Sequence, residues 1–363
     1  MPLGSSMIPP DRAHKKWLRK GVVRSFRWLG IDRLAGKLRR GAVVLYYHGV
    51  EREIVDPQVQ EIHLAFPVFE KQIEFLRRKC DIISLNYLRD CLKYGYRIDP
   101  ASVLLTFDDG YKNNHRVVWP YLRSLEIPFA VFLSTKHIDQ GTRFPTYCMR
   151  AALFSTERSH AYIKGLDLDL DLSSREKRIL AKNTLELYLK QSPQESVRRI
   201  IDELKLLVPE EKWPEINDRY QSDAPMTWND ARELASAGVA IGSHCHDHFI
   251  LHSRQSPLEM NEQMKVSKER IEKELGTCDF ISYPEGGLQS LDSRAVLMAK
   301  EIGYDLGFTV VSGEIRDHVN PLILPRLGIS SDMDHFQFNI NTSFRFNRYY
   351  RDWSLRYLSA QEV

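Results

Sequence analysis

Short apolar runs alternate with amphipathic stretches along most of this chain, and several of the runs end on a polar group. "VVLYY" (43–47) stops at His48, "SVLLTF" (102–107) at Asp108 and Asp109, "VAIGS" (239–243) at His244, and "FIS" (280–282) at Tyr283 and Pro284; "FAVFLST" (129–135) and "LGFTV" (306–310) are similar runs. Runs this short and this rich in Val, Ile, Leu and Phe suit strands buried on both faces. The stretches between them, such as "FPVFEKQIEFLRRK" (66–79) and "PLEMNEQMKVSKERIEKELG" (257–276), carry helical spacing. Strands alternating with helices predict a parallel sheet, either open or closed into a barrel.

The pattern changes between 141 and 222. "LDLDLDLSSREKRILAKNTLELYLKQSPQESVRRIIDELKLLVPEEKW" is charged, with a Leu/Ile stripe, and is expected to form helices without strands. The chain thus divides into a basic N-terminal segment (1–40), the first part of the α/β domain (41–140), a helical insertion (141–222), and the second part with a C-terminal segment (223–363). The last stretch, "FQFNINTSFRFNRYYRDWSLRYL" (336–358), is aromatic and basic and reads as a helix or strand against the body. Met1–Ser6 reads as a vector remnant.

Charge is uneven. Residues 11–40 hold eleven Lys/Arg against two Asp, a surplus of +9, which leaves −6 for the rest of a chain whose total is +3. Within that segment Trp17, Leu18, Val22, Phe26, Leu29, Leu34 and Leu38 recur at roughly helical spacing. Such a segment either lies on an anionic membrane surface or packs on the domain with a solvated basic face. No apolar run reaches the length needed to span a bilayer. No signal peptide is read after Met7, and the five cysteines show no C-x-x-C pair. Reduced thiols and a cytoplasmic location, peripheral on the inner face of the membrane, are the expectation. A nucleic-acid-binding role lacks any motif.

In parallel α/β folds catalytic groups gather at the carboxyl ends of the strands. His244 and His248 in "GSHCHDHFILH" are four apart and suit a shared metal ion, with His246 between them expected to point away. Two imidazoles and a carboxylate with one open position are what metal-assisted hydrolysis requires. Asp109 can supply the carboxylate, which leaves Asp108 as general base on the bound water. A divalent ion near both aspartates also accounts for two adjacent carboxylates at the end of an apolar strand.

"TFDDGY", then "MTWNDARELASAGVAIGSHCHDHFIL", then "FISYPEGG" resemble the successive motifs of the NodB-type polysaccharide deacetylases, carbohydrate esterase family 4. The resemblance runs from about Val43 to Ile329, apart from the insertion. It implies a distorted (β/α) barrel, a divalent metal that is commonly zinc, and removal of an N-acetyl group from an amino sugar. By motif match Asp108 is the base, and Asp109, His244 and His248 are the ligands. The tetrahedral oxyanion would be held by the metal and by the backbone N–H of Glu285, beyond the Tyr283-Pro284 bend.

Three positions depart from the family pattern. Cys245 replaces Ser or Thr, Ser282 replaces the arginine that partners the catalytic aspartate, and Arg326 in "LILPR" replaces the histidine that acts as general acid. Arg326 is therefore expected to orient Asp108 through a bidentate pair. The proton donor falls to His48 first and His318 second. The expected substrate is an N-acetylated amino-sugar glycan or a lipid-linked or nucleotide-linked sugar. The alternatives are deformylation or another C–N hydrolysis on a lipid-linked sugar, and a catalytically inactive sugar-binding barrel.

Overall fold

A computed structural model of the chain describes residues 23–25, 28–316 and 319–358. Its strands are β1 (Val43–Tyr47), β2 (Gly49–Glu51), β3 (His63–Ala65), β4 (Asp81–Ile82), β5 (Ser102–Phe107), β6 (Ala130–Leu133), β7 (His160–Ile163), β8 (Leu168–Asp171), β9 (Ala240–Ser243), β10 (Phe280–Ser282), β11 (Leu306–Phe308) and β12 (Leu327–Gly328). Eight of them form one sheet in the order β11-β10-β9-β6-β5-β1-β12, with β4 also on β5. Every pairing in it is parallel. A parallel bridge from Phe308 to Leu324 joins β11 to the segment entering β12, so the sheet curls into a distorted (β/α) barrel.

Register decides which side chains face the inside. Val44 lies beside Leu104, Tyr46 beside Thr106 and Gly328, Phe132 beside Gly242, and Ser282 beside Phe308. Apart from β4, where Asp81 lies beside Ser102, even-numbered residues therefore share one face across the sheet. Val44, Leu104, Ala130, Phe132, Phe280, Leu306, Phe308 and Leu324 form the interior core. Their odd-numbered neighbours Val43, Leu45, Val103, Leu105, Val131 and Ile281 pack against the outer helices. The helix Leu85–Tyr94, which sequence reading missed, contributes Leu85, Leu88 and Cys91 to the interior core beneath the strands.

The segment 141–222 has a core of its own, built from Tyr147, Leu153, Leu185, Ile200, Leu204 and their neighbours on four helices. It also contains an antiparallel hairpin of β7 and β8, where no strand was expected. The cause is legible afterwards. Ala161, Ile163 and Leu170 are buried while His160, Tyr162 and Asp169 are exposed, so "LDLDLDL" follows the two-residue period of a half-buried strand. The last stretch forms two helices, Met333–Asn341 and Asn347–Leu358. Of the N-terminal stripe, Trp17, Leu18, Val22 and Phe26 lie outside the described residues; Ile31–Gly36 is a helix against Met333–Asn341. All five cysteines are free thiols.

Candidate active site

The even-numbered face that forms the interior core below delivers Asp108, His244 and Arg326 to the mouth above it. Arg326 is fully buried, and each of its five N–H groups has an acceptor. Nε donates to Thr309 O at 2.9 Å, Nη1 to Thr106 Oγ1 at 3.2 Å and Asp108 Oδ1 at 2.8 Å, and Nη2 to Asp108 Oδ2 at 2.7 Å and Ser282 Oγ at 2.9 Å. Five donors is the full complement of a guanidinium. Ser282, the position that lacks the family's arginine, thus helps to hold the arginine that arrives from 326. Tyr46 stacks on the guanidinium at 4.8 Å. Burial alone would raise the Asp108 carboxyl; the Arg326 guanidinium, with His244 and His48, outweighs it and holds the carboxyl below its usual range.

Asp109 is odd-numbered and would point outward if the strand continued. Instead it adopts φ 74°, followed by Gly110 at 75°, and this left-handed pair swings its carboxylate into the mouth. Asp109 Oδ1 lies 3.4 Å from His244 Nε2 and 3.3 Å from His248 Nε2. It is buried and has no hydrogen-bond partner. His244 Nδ1 donates to Ser282 O at 2.7 Å, so in the neutral ring Nε2 is the nitrogen that can ligate. Acceptors converging on one point without a donor between them are what a cation resolves. A tetrahedral ion with bonds of about 2.0–2.1 Å needs ligands roughly 3.3–3.4 Å apart, which these spacings meet. The residues fit a divalent ion.

The loop carrying His248 is held from several sides. Its own N–H donates to Ser134 Oγ at 2.9 Å, and its φ is 46°. The neighbouring Asp247 carboxylate, buried, receives Lys136 Nζ at 2.7 Å and Arg198 Nη2 at 2.8 Å, the latter from the insertion. His246 turns away and pairs through Nδ1 with Thr135 Oγ1 at 2.9 Å. These supports, Ser134, Lys136, Asp247 and Arg198, were missed in sequence; only the clustering of Asp247 with the histidines hinted at one of them.

His48 is half-buried at the same mouth, with its ring 6.1 Å from Tyr46. Burial holds its imidazole below the ordinary value, against the pull of Asp109 and Asp108. Tyr283 requires a correction as a substrate residue. Its side chain points outward into the helix-facing core, where its hydroxyl donates to Leu322 O at 2.9 Å. Odd register places it there. Pro284 is buried, and Glu285 takes φ 55° in a turn closed by Gly286 N donating to Tyr283 O at 2.9 Å. The Glu285 carboxylate meets Lys190 of the insertion at 3.0 Å. His318 lies outside the described residues.

A family model described as polysaccharide deacetylase matches residues 96–170 and 177–307, more than half of the chain. The chain belongs to the polysaccharide deacetylase family. Among solved structures, the chain resembles IcaB from Ammonifex degensii at a TM-score of 0.54 and 16% identity, over 84% of this chain and 97% of that one. It also resembles the Streptococcus pyogenes deacetylase PplD in complex with acetate, at a TM-score of 0.53 and 17% identity, over 81% and 94%. At these identities the likeness is one of fold. A poly-beta-1,6-N-acetyl-D-glucosamine N-deacetylase of Escherichia coli K12 is 28% identical over 89 residues, 24% of this chain and 13% of that relative's length.

Proposed function

We propose that this polysaccharide deacetylase is a metal-dependent hydrolase that removes the N-acetyl group from an amino sugar in a glycan or glycan precursor. The observation that carries the reading is the convergence of Asp109, His244 and His248 beside an aspartate clamped by Arg326. The amino-sugar class is supported by the Escherichia coli relative, whose name specifies an N-acetylglucosamine polymer.

A divalent ion held by Asp109, His244 and His248 would supply Lewis acidity toward the amide carbonyl and a water acidified toward neutrality. Asp108, kept ionised and fixed in direction by Arg326, accepts a proton from the attacking water. The turn at Glu285 brings a backbone N–H to the developing oxyanion. His48, held neutral by burial, takes that proton on from Asp108 and passes it to the departing amine, so the proton taken from water ends on nitrogen, both side chains return to their starting states, and acetate and a free amino sugar remain. Arg326 is a positioning residue in this scheme and carries no proton.

The experiment is acetate release from N-acetylglucosamine oligomers, paired with metal analysis, for wild type, Asp108→Asn and Asp109→Asn. Metal retained with activity lost in the first variant, and both lost in the second, is the expected pattern. Equal metal loss in both would refute the division of roles. Formate released from an N-formylated analogue, with no acetate from any oligomer, would move the reaction to deformylation.

A further inference from the structure

Trp28, Leu29, Leu34 and Leu38 stand 87%, 60%, 65% and 57% exposed within eleven residues of chain. A segment free of the body could present apolar groups in this way by default, but this one is attached. Val23 is buried, Arg24 pairs with Asp334 at 3.6 Å, and Gly36 packs against Asn341. Arg39 is buried and donates to Ser102 O at 3.1 Å. The helix Ile31–Gly36 rests on Met333–Asn341, with Gly36 against Asn341, while Leu34 is exposed. Leu38, four residues on, is exposed as well.

The charge around these residues selects the occupant. Lys37 and Arg40 are exposed in the same segment, and residues 11–40 carry a surplus of +9. A second copy of the chain would bring the same positive charge and be repelled. A phospholipid surface with anionic headgroups offers both the opposite charge and an apolar layer within a side chain's depth. Tryptophan favours the headgroup level, leucine the acyl boundary, and Lys and Arg the headgroups themselves.

We propose that residues 24–40 seat this enzyme peripherally on an anionic bilayer, with Trp28, Leu29, Leu34 and Leu38 inserted at the headgroup–acyl boundary. The inference does not depend on the chemistry at the mouth, and its failure would leave the deacetylase reading intact.

The test is co-sedimentation of the full chain with phosphatidylcholine vesicles, with and without phosphatidylglycerol. Binding to the anionic vesicles alone, weakened by salt, is expected. The double variant Trp28→Ser/Leu34→Ser should lower the partition coefficient by about tenfold or more. Lys37→Glu/Arg40→Glu should reduce the preference for phosphatidylglycerol. Both should keep the wild-type melting temperature and release acetate from soluble oligomers at the wild-type rate. Absence of binding to anionic vesicles would overturn the proposal. So would unchanged binding by the Trp28/Leu34 variant, or a wild-type dimer in vesicle-free buffer that the same variant dissolves.

Discussion

Arg326 and Asp108 meet through two parallel hydrogen bonds of 2.8 and 2.7 Å, both groups buried. The pair joins the end of β5 to the start of β12 and fixes the direction in which the carboxylate can accept a proton. Arg326→Lys keeps the charge but loses the fork, so activity should fall by roughly 10–100-fold while the metal is retained. Arg326→Met leaves a buried carboxylate unpaired and should cost about 3–5 kcal/mol of stability. Urea unfolding of the Met variant, and of the same variant with Asp108→Asn, checks the origin: the second change should restore part of the loss.

Gly110 is the second of two consecutive left-handed residues, and a Cβ there would lie 2.8 Å from Leu133 Cδ2. Gly110→Ala should destabilise by about 1–3 kcal/mol and draw Asp109 off its two histidines. Metal content should fall together with the unfolding midpoint. A variant of normal stability and full metal occupancy would show that the turn tolerates a side chain.

Asp247 is the anchor of the His248 loop, holding Lys136 and Arg198 at 2.7 and 2.8 Å. Asp247→Asn should lower metal affinity by roughly 10–100-fold, with much of the activity recovered in excess metal. Competition with a chromophoric chelator reads the affinity. Arg198→Ala, which removes only the insertion's share, should have the same sign and a smaller size.

Glu186 sits between Lys182 and the Glu61 carboxylate, and burial together with that carboxylate pushes its carboxyl up to about 7. The folded protein therefore binds this proton more tightly than the unfolded chain does. Stability from this group is fully present below the ordinary value of 4.5 and is lost as pH rises through about 7. Glu186→Gln should flatten the fall in stability between pH 5 and pH 7. Denaturant titrations across that range decide it, and an unchanged slope in the variant would assign the pH dependence elsewhere.

Legibility in the sequence followed the range of the interactions. The barrel strands could be read because each is a run of apolar residues bounded by polar ones, a local pattern. The Asp109–His244–His248 grouping could be read because strand ends in a parallel sheet converge whatever their separation along the chain. The bidentate partner of Asp108 was anticipated through the motif position of Arg326. The support of the loop by Ser134, Lys136 and Arg198 was not, because hydroxyls and surface cations recur everywhere and only the fold selects among them. The burial of the Tyr283 side chain was not legible, because a polar tip at a strand end suits a mouth as well as a core contact, and only the fold supplies Leu322 O as its acceptor. The β7–β8 hairpin was lost inside a segment whose other features are helical.

β1 pairs with β12 across nearly the whole chain, Leu45 beside Leu327. Contacts so distant in sequence bear a large loop-closure entropy and form late, and Arg326 arrives with that last strand. On refolding from denaturant, recovery of acetate release should therefore lag behind recovery of the helical signal. During synthesis, Asp108 emerges long before the arginine that clamps it. Strands β1 to β11 can assemble while Asp108 still awaits its clamp.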